Sequence, residues 1–186
     1  YVSSNEIGIV GDPTPDFKMS GISTLGYKGF SFRMQWDYTQ GGDMLAYTPG
    51  TVVGRGLTKD TDFDRYLPLI LPGVKADGTK NDVRVENWYG TYGYAYNPQH
   101  QFVYDASYVK LREANLTYSL PRSIVAKLGG VKGVDLSVYG RNLWIIHKNL
   151  PHSDPEENLS AGNLQGYQSG AYPTTRSIGF NVKLVF

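Results

Sequence analysis

Residues 30–39 alternate without an error, with Phe30, Phe32, Met34, Trp36 and Tyr38 on one parity and Ser31, Arg33, Gln35, Asp37 and Thr39 on the other. Successive side chains of a β-strand point to opposite faces, so this segment has one apolar, aromatic face and one polar face. A second copy closes the chain: Ile178, Phe180, Val182, Leu184 and Phe186 against Ser177, Gly179, Asn181, Lys183 and Val185. Two shorter copies lie between. Ala114, Leu116, Tyr118 and Leu120 oppose Glu113, Asn115, Thr117 and Ser119, and Val134, Leu136 and Val138 oppose Asp135, Ser137 and Tyr139. Upstream, Phe17, Met19, Leu25 and Tyr27 oppose Lys18, Ser20 and Thr24, while Ile22 and Ser23 break the rule. The expectation is an all-β antiparallel sheet of five strands.

The connections alternate in length. Lys28-Gly29 joins the first two strands and residues 121–133, with Gly129, Gly130 and Gly133, join the third and fourth. Residues 40–106 and 143–174 form the other two connections. Structureless loops beyond about 12 to 15 residues are uncommon in compact soluble domains. Short turns at one end and long loops at the other are the plan of an outer-membrane barrel, whose strands need only about 9 to 11 residues to cross the bilayer. With the last strand ending in the periplasm, both short turns fall on the periplasmic side and both long loops fall outside the cell. Tyr27 and Phe30 beside the turn, and Trp36 and Tyr38 at the other end, match two interfacial aromatic girdles. The set Phe30, Phe32, Met34, Trp36 and Tyr38 is therefore expected to face lipid. Five strands cannot close a barrel, and an open edge in hydrocarbon leaves backbone groups unpaired. The remaining strands are expected from elsewhere in a longer polypeptide, with this chain as its C-terminal part. The chain opens at Tyr1 with no basic or apolar leader, so any targeting signal is expected to have been removed or to lie upstream.

Composition narrows the function classes. No run reaches the roughly 18 to 20 apolar residues of a transmembrane helix. A formal charge of +1 without a Lys/Arg stripe argues against nucleic acid. The absence of Cys removes disulfides, thiolate zinc sites and thiol catalysis. His100, His147 and His152 show no helical metal-ligand spacing. The carboxylates of residues 77–82 and 154–157 lack the EF-hand spacing, and turn chemistry accounts for both. No nucleophile, base and orienting acid assemble locally, so an enzyme, a metal and a cofactor are all unexpected.

Trp88, Tyr89, Tyr92, Tyr94 and Tyr96 crowd the first long connection. Flat rings with polar tips suit sugar stacking or partner docking; packing on one another to hold the loop is the plainer explanation. Two other architectures share the alternation. One is a soluble carbohydrate-binding β-sandwich with residues 30–38 in its core, and the other is a different outer-membrane barrel such as a porin or adhesin.

Ordered motif blocks set one reading ahead of these two, which stay open. Gly11-Asp-Pro-Thr-Pro-Asp-Phe17, Tyr27-Lys-Gly-Phe30, Gly41-Gly-Asp43 and Leu71-Pro-Gly-Val74 come first. Ala106-Ser-Tyr-Val-Lys-Leu-Arg112, Leu116-Thr-Tyr-Ser-Leu-Pro121, Gly140-Arg-Asn-Leu143, Asp154-Pro-Glu156 and Tyr172-Pro-Thr-Thr-Arg176 follow, with Phe186 last. Together they resemble the C-terminal barrel segment of SusC/RagA-type TonB-dependent outer-membrane transporters. The resemblance implies the last five or so strands of a plugged barrel of about 22 strands. It implies import of oligosaccharides or oligopeptides across a Gram-negative outer membrane, with a SusD-like surface lipoprotein as lid. The plug and the segment that contacts the TonB complex lie outside this chain. Phe180, Val182, Leu184 and Phe186 resemble the strand read by barrel-assembly machinery.

Overall fold

A computed structural model describes residues 7–64, 66–85, 99–157, 162 and 164–186. Five long strands make one antiparallel sheet: β1 (Phe17–Tyr27), β2 (Phe30–Gln40), β5 (Tyr108–Ser119), β6 (Gly133–Lys148) and β8 (Ser177–Val185), in the order β1-β2-β5-β6-β8. These are the five strands expected. The first is continuous through Ile22 and Ser23, because its full register against β2 leaves no unpaired residue. Ile22 therefore sits opposite Gln35 on the polar face, and Ser23 opposite Met34 on the apolar one.

Lys28 and Gly29 both have positive φ, 43° and 85°, the conformation a two-residue hairpin needs to follow the strand twist. The β5–β6 connection is closed by a short helix (Arg122–Val125) and a 3-10 turn (Ala126–Leu128). These two mark the turn end of the sheet.

The other end is capped by a small sheet in the order β4-β3-β7, made of β3 (Asp43–Ala46), β4 (Val103–Asp105) and β7 (Tyr167–Gln168). Helix α1 (Tyr47–Gly54) follows β3 directly. Met44, Ala46 and Leu150 form the core of this cap, with Tyr104 and Ala106 packed against it. The long connections are thus partly ordered by pairing with each other. The second is also shorter than expected: β6 runs to Lys148, where the sequence placed the loop from residue 143. The strand outlasts its alternation because two irregularities in its pairing with β5 absorb extra residues of β6.

Along β5 parity reverses once, at a bulge. Below it Phe32, Met34, Leu116 and Val138 share the apolar face, with Leu116 opposite both Phe32 and Val138. The register shift between Gln35 and Trp36 leaves Arg112 as an extra residue of β5. Beyond it Leu111 and Val109 take the apolar face opposite Trp36 and Tyr38, and Lys110 and Tyr108 take the polar one opposite Asp37 and Thr39.

Burial in this molecule is inverted. Among the described residues the buried hydrophobics are Met44, Ala46, Phe102, Val125, Val134 and Leu150, and eight polar or charged residues are buried beside them. Meanwhile Phe180 is 80% exposed and Ile178 73%, and Leu25, Phe30, Leu116, Val138, Val182 and Leu184 are also exposed on the same face. No second layer covers that face among the described residues, so the sandwich alternative is not met. A contiguous apolar surface of this kind needs an apolar surrounding.

Candidate functional site

At the loop end the polar face is built around a charge cluster. β5 presents Lys110 and Arg112 there, and the chain after β6 turns back through Asp154-Pro155-Glu156 to meet them. Lys110 Nζ donates to Asp154 Oδ1 at 2.6 Å and to Glu156 Oε2 at 2.5 Å. Arg112 donates through Nη1 to Glu156 Oε2 at 2.9 Å, through Nη2 to Glu156 Oε1, and through Nε to Asp37 Oδ2 at 2.6 Å. Tyr108 donates its hydroxyl to Glu156 Oε1 at 3.0 Å.

The same cluster anchors the lead into β8. Asp154 Oδ2 accepts from the backbone N–H of Thr174 at 3.2 Å and from its hydroxyl. Asn142, held at φ 50° within the β6 irregularity, accepts from Arg112 Nη1 at 3.0 Å and donates to the Thr175 carbonyl at 3.0 Å. One network therefore joins β2, β5, β6, the residues after β6 and the approach to β8.

The side chains of Lys110 and Asp154 are 3% and 4% exposed, which makes this a buried pair. Burial alone pushes the Asp154 carboxyl up. Hydrogen bonds from Lys110, Thr174 and the Glu156 backbone, with the Lys110 charge, outweigh it and hold the group below the usual carboxylate value. Glu156 is treated alike: burial raises it, and the hydrogen bonds and charges of Arg112 and Lys110 bring it lower. A cavity of about 510 Å³ opens beside the cluster, lined among others by Lys110, Trp144, Lys148, Ser153, Glu157 and Arg176.

The chain is 32% identical over 190 residues to TonB-dependent receptor P3 of Formosa agariphila, and 27% identical over 195 residues to TonB-dependent receptor P26 of the same organism. The matches cover 98% and 100% of this chain and 18% of each relative, so the chain spans about a fifth of the length of the curated relatives it matches. Its backbone superposes on the RagAB peptide importer in its open-open state with a TM-score of 0.61 at 22% identity, covering 93% of this chain and 17% of that one. The closed-closed state gives a TM-score of 0.63 at 20% identity, covering 99% and 19%. No protein-family model matches. The chain is thus similar in sequence to a segment of TonB-dependent receptors and in fold to part of the RagAB importer. The two relatives are named as receptors, and the solved structures as a peptide importer.

Within this chain the expected strand residues fall on one face. Phe30, Phe32, Met34, Trp36 and Tyr38 share the apolar side of β2, Phe30 stacking on Tyr118 at 4.4 Å and Tyr38 meeting Phe17 edge-on at 5.5 Å. Phe180, Val182 and Leu184 share the same side of β8 opposite Val138, Leu136 and Val134, and Phe186 follows the last strand residue. Trp88, Tyr89, Tyr92, Tyr94 and Tyr96 lie outside the described residues. Sequence reasoning missed the charge cluster, taking residues 154–157 for a turn. One signal was present: by the parity of Ala114 and Leu116, Lys110 and Arg112 belong on the apolar face, and two cations there imply a bulge.

Proposed function

We propose that this chain is wall and mouth of an energised outer-membrane importer: the C-terminal strands of a plugged barrel that takes up oligosaccharides or oligopeptides. The observation that supports it best is the sheet itself, apolar and uncovered on one side, hydrogen-bonded and charged on the other, with β1 and β8 each paired along one edge only. Such a sheet is stable in a bilayer when both edges continue into further strands. On this reading Phe30, Phe32, Met34, Trp36 and Tyr38 face lipid together with Phe180, Val182 and Leu184. From Phe30 to Tyr38 the strand rises about 26 Å, close to the height of the apolar band of outer-membrane barrels. The polar face lines the lumen against a plug supplied by the rest of the polypeptide. The capped loop end lies outside the cell, where a SusD-like lipoprotein closes the mouth, and the TonB complex acts through the plug region.

The test is made on the parent protein. It should sediment with outer membranes, require detergent for extraction, and migrate differently on gels before and after boiling. Uptake of its substrate should cease when TonB is deleted. Recovery as a soluble monomer in plain buffer would refute the barrel, and uptake indifferent to TonB would point to a porin.

A further inference from the structure

The cavity beside the charge cluster holds more polar groups than the cluster uses. Lys110 is fully engaged by Asp154 and Glu156. Lys148 donates only to the Ser153 carbonyl, at 2.5 Å, and Arg176 is exposed; among the described residues neither is ion-paired to a carboxylate. Both line this cavity. Two further lining residues are nine-tenths buried yet leave a polar atom without a partner: Ser153, 7% exposed, at Oγ, and Glu157, 9% exposed, at Oε1. A buried polar atom without a hydrogen bond costs about 1 to 3 kcal/mol, so two in one wall call for an occupant or an ordered water. Ile145, paired with Lys110 on the polar face, and Pro173 give the same cavity an apolar side. A space of about 510 Å³ with an apolar wall and a few convergent polar groups is of the size that takes a small ligand.

We propose that this cavity is a recognition subsite for a ligand carrying a carboxylate next to a hydrogen-bond donor. Arg176 and Lys148 meet the carboxylate, the Ser153 hydroxyl donates to it, and Glu157 accepts from the neighbouring hydroxyl or amide N–H. Ile145 and Pro173 cover the apolar face of the same unit. Because neither cation makes an ion pair with a carboxylate among the described residues, an acidic ligand gains two charge-assisted hydrogen bonds that a neutral one does not. Two sources share this chemistry, the uronate unit of an acidic oligosaccharide and the terminal residue of an oligopeptide. The inference rests on the importer reading, which places the cavity at the mouth of the lumen.

Calorimetric titration of the detergent-solubilised parent receptor tests it, with four probes. These are trigalacturonate, its carboxyl-reduced neutral counterpart, trialanine, and trialanine amide. One acidic probe is expected to bind at least about tenfold more tightly than its neutral partner, the scale of one charge-assisted hydrogen bond. Which of the two acids does so assigns the source. Arg176→Gln and Lys148→Met should each erase the preference while leaving the neutral probe unchanged. Arg176 is exposed, so its variant tests the subsite without disturbing the fold. Binding of neither acid, equal binding of acid and neutral probe, or preference retained in both variants overturns the subsite while leaving a membrane-inserted receptor intact. A wild-type receptor recovered from the soluble fraction overturns the importer reading and the subsite with it.

Discussion

Arg112 holds Glu156 at two points, with Nη1 on Oε2 at 2.9 Å and Nη2 on Oε1, and reaches Asp37 Oδ2 with Nε at 2.6 Å. A planar guanidinium serves two carboxylates at once in this way, and an ammonium does not. Arg112→Lys should therefore destabilise the parent receptor by about 1 to 3 kcal/mol although the charge is kept. Urea titration of the unboiled gel band measures it. An unchanged midpoint would mean that charge, not geometry, holds the cluster.

Lys110 and Asp154 are both almost wholly buried. Lys110→Met alone leaves two carboxylates short of a cation and should cost about 3 to 5 kcal/mol. Adding Asp154→Asn should recover part of that loss, because the uncompensated charge is then removed. Additive effects in the double-mutant cycle would show that the two side chains do not depend on each other.

Asp154 and Glu156 are held below their usual values, so their contribution is fully present above the normal carboxylate range. It is lost as pH falls through the lowered folded values, at about pH 4 and below. Hydrogen exchange, corrected for intrinsic rate, should show the Glu156 and Thr174 amides losing protection there, since both donate to Asp154. The Ser119 amide, bonded to Gly29 at the turn end, should stay protected. Simultaneous loss at all three positions would indicate global unfolding instead of local release.

Met34 and Gln35 are adjacent and face opposite ways, paired to Ala114 and Glu113. Met34→Arg should cost roughly 2 to 4 kcal/mol as a charge near the bilayer midplane, and Gln35→Arg little. Equal folding yields in the parent barrel would defeat the assignment of faces.

The chain has no cysteine, so single thiols report sidedness here without background from these residues. Thr79→Cys in the first long connection should react with impermeant maleimide on intact cells, and Ser123→Cys after β5 should not. The reverse pattern would invert the topology.

The strands were legible because a two-sided solvent imposes alternation, and the sheet order followed from the connection lengths. Lys28-Gly29 was readable as a turn since only two residues separate the alternating runs and Gly29 tolerates positive φ. The charge cluster was not, because its partners lie 44 and 46 residues apart and meet only once the strands are in register. The small sheet was hidden for a related reason. Three strands of two to four residues are too short to show a period, and their pairing is fixed by backbone bonds such as Leu45 N–H to the Gly166 carbonyl.

The extra residue at Arg112 has a consequence for chains of this kind. It works as a phase shifter: below it the odd-numbered residues of β5 lie on the polar face, above it the even-numbered ones do. Closing the bulge with Arg112 kept in the ladder would carry Lys110 to the apolar face and Leu111 to the polar one, whereas deleting Arg112 would leave both where they are. The register of β5 against β2 is thus constrained more tightly than its length at this point. Two relatives aligned with a one-residue gap at this point would be expected to keep the same faces along the whole upper half of the strand, one reaching that register through a bulge and the other through plain alternation.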